Sequence, residues 1–201
     1  IENEIRATVP MVYYHVWDNY PFPDFNKFWY DSNDYIYTIS KVTDDIIKTV
    51  SPDVNSIYLP HAVNGNVFKP LTPEQKQSVI QSSLPESDWP KLRFFWNNRN
   101  ARRKQSGTLI HWFKDWLDAR DMHEKAQLIM HTDPRDVHGQ DLNAILEDLD
   151  IIDGQVLLST MKIEPHELAM VYNVADCTIN ISDAEGFGLS TLESLSTATP
   201  I

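Results

Sequence analysis

The chain has 201 residues, a formal net charge of −12 and 42% hydrophobic residues. Its apolar content is sufficient to bury a core without disulfides or metal ions, and its acidic balance disfavours a nucleic acid or an anionic membrane surface as the main partner. No apolar run approaches the roughly 18 residues that a membrane-spanning helix needs. The lone Cys177 is typical of a reducing compartment, so we expect a cytoplasmic protein without a membrane span.

Short apolar runs alternate with amphipathic stretches along the whole chain. This alternation is typical of βα units built around a mostly parallel sheet. The predicted strands are residues 10–17, 34–40, 55–60, 91–97, 126–132, 155–160 and 177–182. The sequence therefore predicts an α/β fold.

Between these strands, helices are predicted where apolar residues recur at the helical period. The stripes are Leu109, Ile110, Phe113, Trp116 and Leu117; Leu142, Ile145, Leu146 and Leu149; and Leu168, Val171, Tyr172 and Ala175. Pro165 precedes the last stripe, at a position that the first turn of a helix accepts.

Residues 61–90 interrupt the alternation, because they hold four of the twelve prolines and no clear strand. We interpret part of this stretch as a connection between two domains. The predicted organisation is a first Rossmann-like domain over residues 1–68, a connection over 69–90 and a second Rossmann-like domain over 91–201. We expect both halves to be incomplete and the chain to be an internal piece of a longer protein.

The most informative stretch is EGFGLSTLE, Glu185 to Glu193, which follows the last predicted strand. A strand that enters a glycine-containing turn at a helix N-terminus presents free backbone N–H groups to an anion, and Gly186 and Gly188 allow a close approach of the backbone. Glu185 and Glu193 flank this turn, and carboxylates suit a polyhydroxylated ligand. The spacing alone fits two interpretations equally well: a pair of ligand-binding carboxylates, or one helix-capping glutamate together with one exposed glutamate. We expect the core face of this helix to be formed by Leu189, Leu192 and Leu195.

The segment SDAEGFGLSTLESLSTATPI, residues 182–201, resembles the donor-site motif of the family-four retaining glycosyltransferases. The preceding PHELAMVYNVADCTINIS resembles the helix and strand before that motif, and YLPHAVNGNVFKP resembles the family's interdomain linker. The resemblance implies a GT-B-like fold of two Rossmann-like halves with parallel sheets. It also implies that the nucleotide-sugar donor is bound by Gly186, Phe187, Gly188, Leu189, Ser190 and Glu193.

The same resemblance assigns roles to residues farther upstream. In NNRNARRK, residues 97–104, Arg99 and Lys104 fall where the family grips the donor pyrophosphate, and Arg103 is the alternative to Lys104. VPMVYYHVWD resembles a strand that ends in a histidine near the donor sugar, which is His15 here. A histidine there positions the sugar or stabilises developing charge, and Glu185 lies against the sugar as well. We therefore assign catalytic roles to His15 and Glu185.

The implied activity is transfer of a sugar from a nucleotide-sugar to an acceptor with retention of anomeric configuration. The acceptor is a glycan, a lipid or a small molecule, and the nucleotide-sugar is a substrate, so no cofactor is expected. Two alternatives remain open: a sugar-nucleotide epimerase related to this fold, and a non-catalytic module that binds nucleotide-sugars.

Two groups of residues resemble metal sites. Asp148 and Asp150 have the Asp-x-Asp spacing of a metal-binding motif, but they follow an amphipathic helix, where a solvated face explains them better. A second group comprises His131, Asp133, Asp136 and His138. It contains turn-forming residues after a strand, so a loop is the simpler explanation. We therefore predict no metal site.

Overall fold

The computed structural model describes residues 2–5, 7–17, 19, 21–151 and 153–201. The contacts divide the chain into two compact units: residues 1–62 with Ala184–Gly188, and residues 63–183 with Leu189–Ile201. The domain limits that we inferred from the sequence stay a prediction.

The first unit contains a three-stranded parallel sheet of β1 (Val12–His15), β2 (Tyr35–Thr38) and β3 (Asn55–Tyr58), in that order. Its helices are α1 (Glu2–Ile5), α2 (Lys27–Asp31) and α3 (Lys41–Val50). Helix α3 begins where the Ser40 hydroxyl accepts the backbone N–H of Thr43 at 3.0 Å, an N-cap bond. The buried core comprises Tyr30, Ile36, Ile46, Ile47 and Val50.

The second unit contains a four-stranded parallel sheet in the order β6-β5-β4-β7. Its strands are β4 (Leu92–Asn97), β5 (Ala126–His131), β6 (Val156–Ser159) and β7 (Cys177–Thr178). Its helices are α4 (Pro73–Ser83), α5 (Ser106–Arg120), α6 (Leu142–Asp148), α7 (Pro165–Val174) and α8 (Leu189–Ser196). The predicted parallel α/β architecture is confirmed in both units.

All seven predicted strands are present, but the last is shorter than residues 177–182. The backbone N–H of Ile179 still donates to Phe95 on β4 at 2.8 Å. Beyond it, the Asn180 side chain donates to Thr191 on α8, and the N–H of Asp183 donates to Arg103. These bonds direct the chain from the sheet into a loop.

The predicted helical stripes coincide with α5, α6 and α7. On α5, the apolar side chains Leu109, Ile110, Phe113 and Leu117 are buried against the sheet, and burial of each stabilises the fold by about 1.5–3 kcal/mol. Helix α4 lies within the stretch that we interpreted as a connection, and its N-terminus is closed by a capping box between Thr72 and Gln75. It packs on α7 in the second unit.

The predicted core face of α8 is wrong at Leu189 and Leu195, and Leu192 is half-buried. Leu189 and Leu195 are 43% and 61% exposed, whereas Ser190 and Ser194 are buried. The Ser194 hydroxyl contacts Thr178 Oγ1 at 2.8 Å and the Thr199 carbonyl at 3.0 Å. Small hydroxyl side chains therefore bring α8 close to β7, because their hydrogen bonds satisfy polar groups that leucines would leave unpaired.

Among the described helices, none is long and apolar enough to cross a bilayer.

This packing predicts opposite sensitivities on the two faces of α8. Ser194→Val should lower the free energy of unfolding by about 2 kcal/mol, because it overfills the contact with β7 and removes a buried hydrogen bond. Leu195→Ser is the control on the exposed face and should change stability by less than about 0.5 kcal/mol. Urea unfolding measures both, and a larger loss for Leu195→Ser would contradict the observed face.

Candidate functional site

The loops that follow β4, β5 and β7 leave the same edge of the second sheet. Carboxyl ends of parallel strands meet at one edge, and α/β folds bind their ligands there. The loop after β4, residues 98–105, carries the predicted pyrophosphate-binding residues and is called the basic loop below. The loop after β5 covers residues 132–141, and the segment after β7 leads into the glutamate-bracketed motif.

The basic loop is braced by the loop after β5. The buried Asn100 accepts the Ser106 hydroxyl at 2.7 Å and donates from Nδ2 to the Gln140 carbonyl at 2.7 Å. A Cβ on Gly139 would collide with the Asn100 carbonyl oxygen and side chain, so this approach requires glycine. The loop then forms a 3₁₀ turn at Arg102–Lys104 and enters α5.

The basic loop is also bonded to the segment that opens the motif. The backbone N–H of Asp183 donates to the Arg103 carbonyl at 2.9 Å. The Gln105 amide donates to the two carboxylate oxygens of Asp183 at 2.8 and 2.9 Å. The structure thus brings together two segments that are separated by about 80 residues in the sequence, and both had been assigned to the donor.

The predicted pyrophosphate ligands occupy different environments. Lys104 is buried, whereas Arg99 is exposed and its guanidinium forms a bidentate pair with Asp136, at 2.5 and 3.1 Å. Arg99, together with the backbone N–H of His138, lowers the pKa of Asp136 to about 2. The sequence suggests Asp136 only as a candidate metal ligand and gives no indication of its pairing with Arg99.

Glu193 lies on α8 in a cluster with Asn97 at the end of β4 and Tyr172 on α7. Its Oε2 accepts the Tyr172 hydroxyl at 2.7 Å and Asn97 Nδ2 at 3.4 Å, and Asn97 also donates to the Tyr172 oxygen at 3.0 Å. Burial raises the pKa of Glu193, and the two hydrogen bonds oppose this rise. Burial and the charge of Glu193 raise the pKa of Tyr172, so the phenol stays a proton donor.

In the sequence, Tyr172 stands out only as a member of a helical stripe, and Asn97 is not singled out. Because Asn97 ends a predicted strand and precedes a run of basic residues, its position indicates that it lies at the edge of the sheet. Nothing in the sequence connected either residue with Glu193.

The remaining motif residues lie around the start of α8. Gly188 has φ +84°, a left-handed conformation that favours glycine, and Leu189 and Ser190 form the first turn of the helix. Glu185 and Gly186 lie half-buried in the preceding loop. The ring of Phe187 makes an edge contact with His61 at 5.3 Å.

His61 is itself held by the first sheet. Its Nδ1 lies 3.1 Å from the Tyr14 hydroxyl, which donates to the Leu59 carbonyl at 2.9 Å. His61 belongs to the stretch that resembles the interdomain linker, and the prediction gave it no role.

His15 ends β1, as predicted, and is buried. Its Nε2 lies 2.8 Å from the Tyr30 hydroxyl, and its Nδ1 is buried without a hydrogen-bond partner among the described residues. Burial lowers the pKa of His15 to about 4, so the imidazole is uncharged at neutral pH. The sequence suggests two roles for His15, positioning the sugar or stabilising developing charge, and an uncharged ring suits the first.

The two metal-like groups are dispersed. Asp148 ends α6, and Asp150 adopts a left-handed φ of 56°. His131 Nδ1 contacts the Ser159 hydroxyl at 2.9 Å, and Asp136 pairs with Arg99. Within the described part of the chain, no three His, Cys, Asp or Glu side chains are grouped to hold a metal ion.

Solved structures with the same arrangement of elements are glycosyltransferases. The chain is similar to the α,α-trehalose 6-phosphate synthase of Burkholderia multivorans, with a TM-score of 0.76 and 12% identity over 98% of this chain and 52% of that chain. It is similar to Anabaena HepE in complex with UDP and glucose, with a TM-score of 0.73 and 14% identity over 96% and 52% of the two chains. The chain has a GT-B-like fold.

A third similarity covers mainly one domain of the relative. The C-terminal domain of the group 1 glycosyl transferase LpcC of Francisella tularensis has a TM-score of 0.52 and 19% identity over 69% of this chain and 68% of that chain. The chain spans about half the length of the first two relatives. No family model and no curated protein matches the sequence.

The buried, neutral His15 predicts an acid-sensitive fold. In the unfolded chain this histidine becomes protonated below pH 6.5, whereas in the native state it becomes protonated only near pH 4. As the pH decreases through this window, the free energy of unfolding therefore decreases by up to about 1.4 kcal/mol per pH unit. His131, whose pKa is also lowered by burial, contributes in the same direction.

His15→Gln should reduce this pH dependence, measured by urea unfolding between pH 4.5 and 7. The same substitution at the exposed His111 is the control. An unchanged slope in His15→Gln would contradict the neutral state of His15.

Proposed function

We propose that the protein transfers a sugar from a nucleoside-diphosphate sugar to an acceptor hydroxyl with retention of anomeric configuration. The observation that carries the proposal is the bonding of the basic loop to Asp183 at the carboxyl edge of the sheet. It places a basic segment beside the opening of the glutamate-bracketed motif, where α/β folds bind nucleotides. The similarity to HepE, solved with UDP and glucose, supports the same ligand class.

In this proposal the donor diphosphate lies against the basic loop and the start of α8. Arg99 and Lys104, or Arg103 in place of Lys104, supply positive charge, and the backbone N–H groups after Gly188 supply the helix N-terminus. These groups provide the charge stabilisation that a metal ion gives elsewhere, so the proposed reaction is metal-independent. The carboxylate of Glu193 accepts ribose hydroxyls.

The chemistry follows from where charge develops. The bond between the anomeric carbon and the phosphate oxygen breaks, and its electron pair leaves with the nucleoside diphosphate. The acceptor hydroxyl attacks the same face of the sugar, and its proton passes to the leaving phosphate. Glu185 binds a sugar hydroxyl, and His15, uncharged, positions the sugar by hydrogen bonding. The products are a glycoside of a glycan, lipid or small-molecule acceptor and a nucleoside diphosphate.

The first test is nucleotide binding by calorimetry with UDP, GDP and ADP in the presence of a metal chelator. One of the three should bind, and Glu193→Ala should weaken that binding by more than about tenfold, or about 1.4 kcal/mol. Glu147→Ala, on the exposed face of α6, is the matched control and should bind like the wild type. A folded protein that ignores all three nucleotides would refute the donor site.

The second test follows the product. A sugar conjugate of the nucleotide that binds is incubated with a panel of glycan, lipid and small-molecule acceptors. Transfer supports the proposal, an epimerised nucleotide-sugar indicates the epimerase alternative, and binding without turnover indicates a binding module.

Asp136 should compete with the diphosphate for Arg99. Asp136→Asn retains an oxygen for the His138 N–H bond at 2.9 Å but removes the charge, so nucleotide affinity should rise by about threefold to tenfold. Arg99→Ala should lower it. If Asp136→Asn leaves the affinity unchanged while Arg99→Ala lowers it, Arg99 binds the donor without competition from Asp136.

A further inference from the structure

Tyr172 presents its hydroxyl from a rigid position. The side chain is fully buried, and its ring packs edge-on against Phe95 at 4.9 Å and Phe68 at 6.2 Å. Its backbone carbonyl accepts the Thr199 hydroxyl at 2.7 Å. Core packing therefore fixes the hydroxyl, because a ring held on its faces and edges has no other rotamer to adopt.

Two donors converge on a single carboxylate oxygen. The Tyr172 hydroxyl has one proton and donates it to Glu193 Oε2, so it accepts the bond from Asn97 Nδ2. Asn97 also donates to the same Oε2 at 3.4 Å. Oε1 of Glu193 receives no hydrogen bond from the described residues, and the geometry leaves it available to a ligand.

A carboxylate is a costly partner for a buried tyrosine. Burial disfavours the ionised form of Glu193, and a neutral acceptor would satisfy the phenol at a lower desolvation cost. Among the described residues, Tyr172 on α7 and Asn97 on β4 donate the side-chain hydrogen bonds that lower the pKa of Glu193. Both favour the ionised form, so these two hydrogen bonds offset part of the effect of burial on Glu193.

We propose that Tyr172 and Asn97 are positioning residues that hold Oε2 of Glu193 and thereby orient its Oε1 to accept the ribose hydroxyls of the donor. This inference rests on the proposed function. An ionised carboxylate accepts two hydroxyl protons, whereas a protonated one loses acceptor capacity. Donor affinity therefore depends on the protonation of a residue that Tyr172 and Asn97 control.

The decisive variant is Tyr172→Phe, which keeps the ring and removes the hydroxyl. Affinity for the nucleotide identified among UDP, GDP and ADP should fall about tenfold. The pH at which affinity is lost on acidification should rise by about one unit, because the ionised form of Glu193 loses a hydrogen bond. The loss of affinity at low pH is called the acidic limb below. Asn97→Ala should shift this limb less than Tyr172→Phe does, since the bond from Asn97 to Oε2 is longer. It also tests the inference if Tyr172→Phe does not fold.

The control for packing is Phe68→Leu. It loosens the contact with the Tyr172 ring but retains the hydroxyl, so it should lower the melting temperature without moving the acidic limb. Glu193→Gln should abolish the acidic limb, and Tyr172→Phe in that background should cause no further loss of affinity.

Three results separate failure of this inference from failure of the proposed function. If Glu193→Gln weakens binding but Tyr172→Phe and Asn97→Ala retain wild-type affinity and pH dependence, the positioning role is overturned and the donor site stands. If Glu193→Gln binds like the wild type, the charge of Glu193 is not needed for binding and this inference is overturned while the donor site stands. The proposed function is overturned only if the folded wild type binds none of UDP, GDP and ADP.

Discussion

The candidate site depends on the parallel pairing of β4 with a neighbour on each side. β5 and β7 both run parallel to β4, so the carboxyl ends of all three strands lie at one edge of the sheet. Because of this pairing, the basic loop lies between the loop after β5, which braces Asn100, and the segment after β7, which holds Asp183. An antiparallel neighbour would send its loop to the opposite edge, and neither set of bonds would form.

His15 and Glu193 illustrate how burial affects the charge state of a titratable side chain. Burial lowers the pKa of His15, and its contact with the Tyr30 hydroxyl gives no countercharge, so the ring stays neutral. Burial raises the pKa of Glu193, but two hydrogen bonds act against the rise. The fold thus leaves His15 uncharged, whereas at Glu193 two hydrogen bonds offset part of the burial effect that disfavours its charge. In the proposed function, the neutral His15 positions the sugar and the carboxylate of Glu193 accepts hydroxyls.

Much of the fold and less of the candidate site could be predicted from the sequence. The strands and the stripes of α5, α6 and α7 follow from burial periodicity, which is a local property of the chain. The buried face of α8 could not be predicted in this way, because Ser194 is buried through hydrogen bonds to Thr178 and Thr199 rather than by hydrophobicity. The partners of Glu193 lie 21 and 96 residues away, and Asp136 lies 37 residues from Arg99. Such pairings arise from the sheet order, which no local pattern encodes.

The acidic character of the chain gives the basic loop its importance. With a formal net charge of −12, the protein as a whole repels a nucleoside diphosphate, and long-range attraction cannot concentrate this ligand at the sheet edge. Binding must therefore rely on short-range contacts, which salt screens less than long-range ones. Asp136 remains ionised at any pH well above 2 and already occupies the Arg99 guanidinium. In the proposed function, the diphosphate exchanges with a carboxylate for this contact, and the net gain is the difference between two charge-assisted pairs rather than the full strength of one.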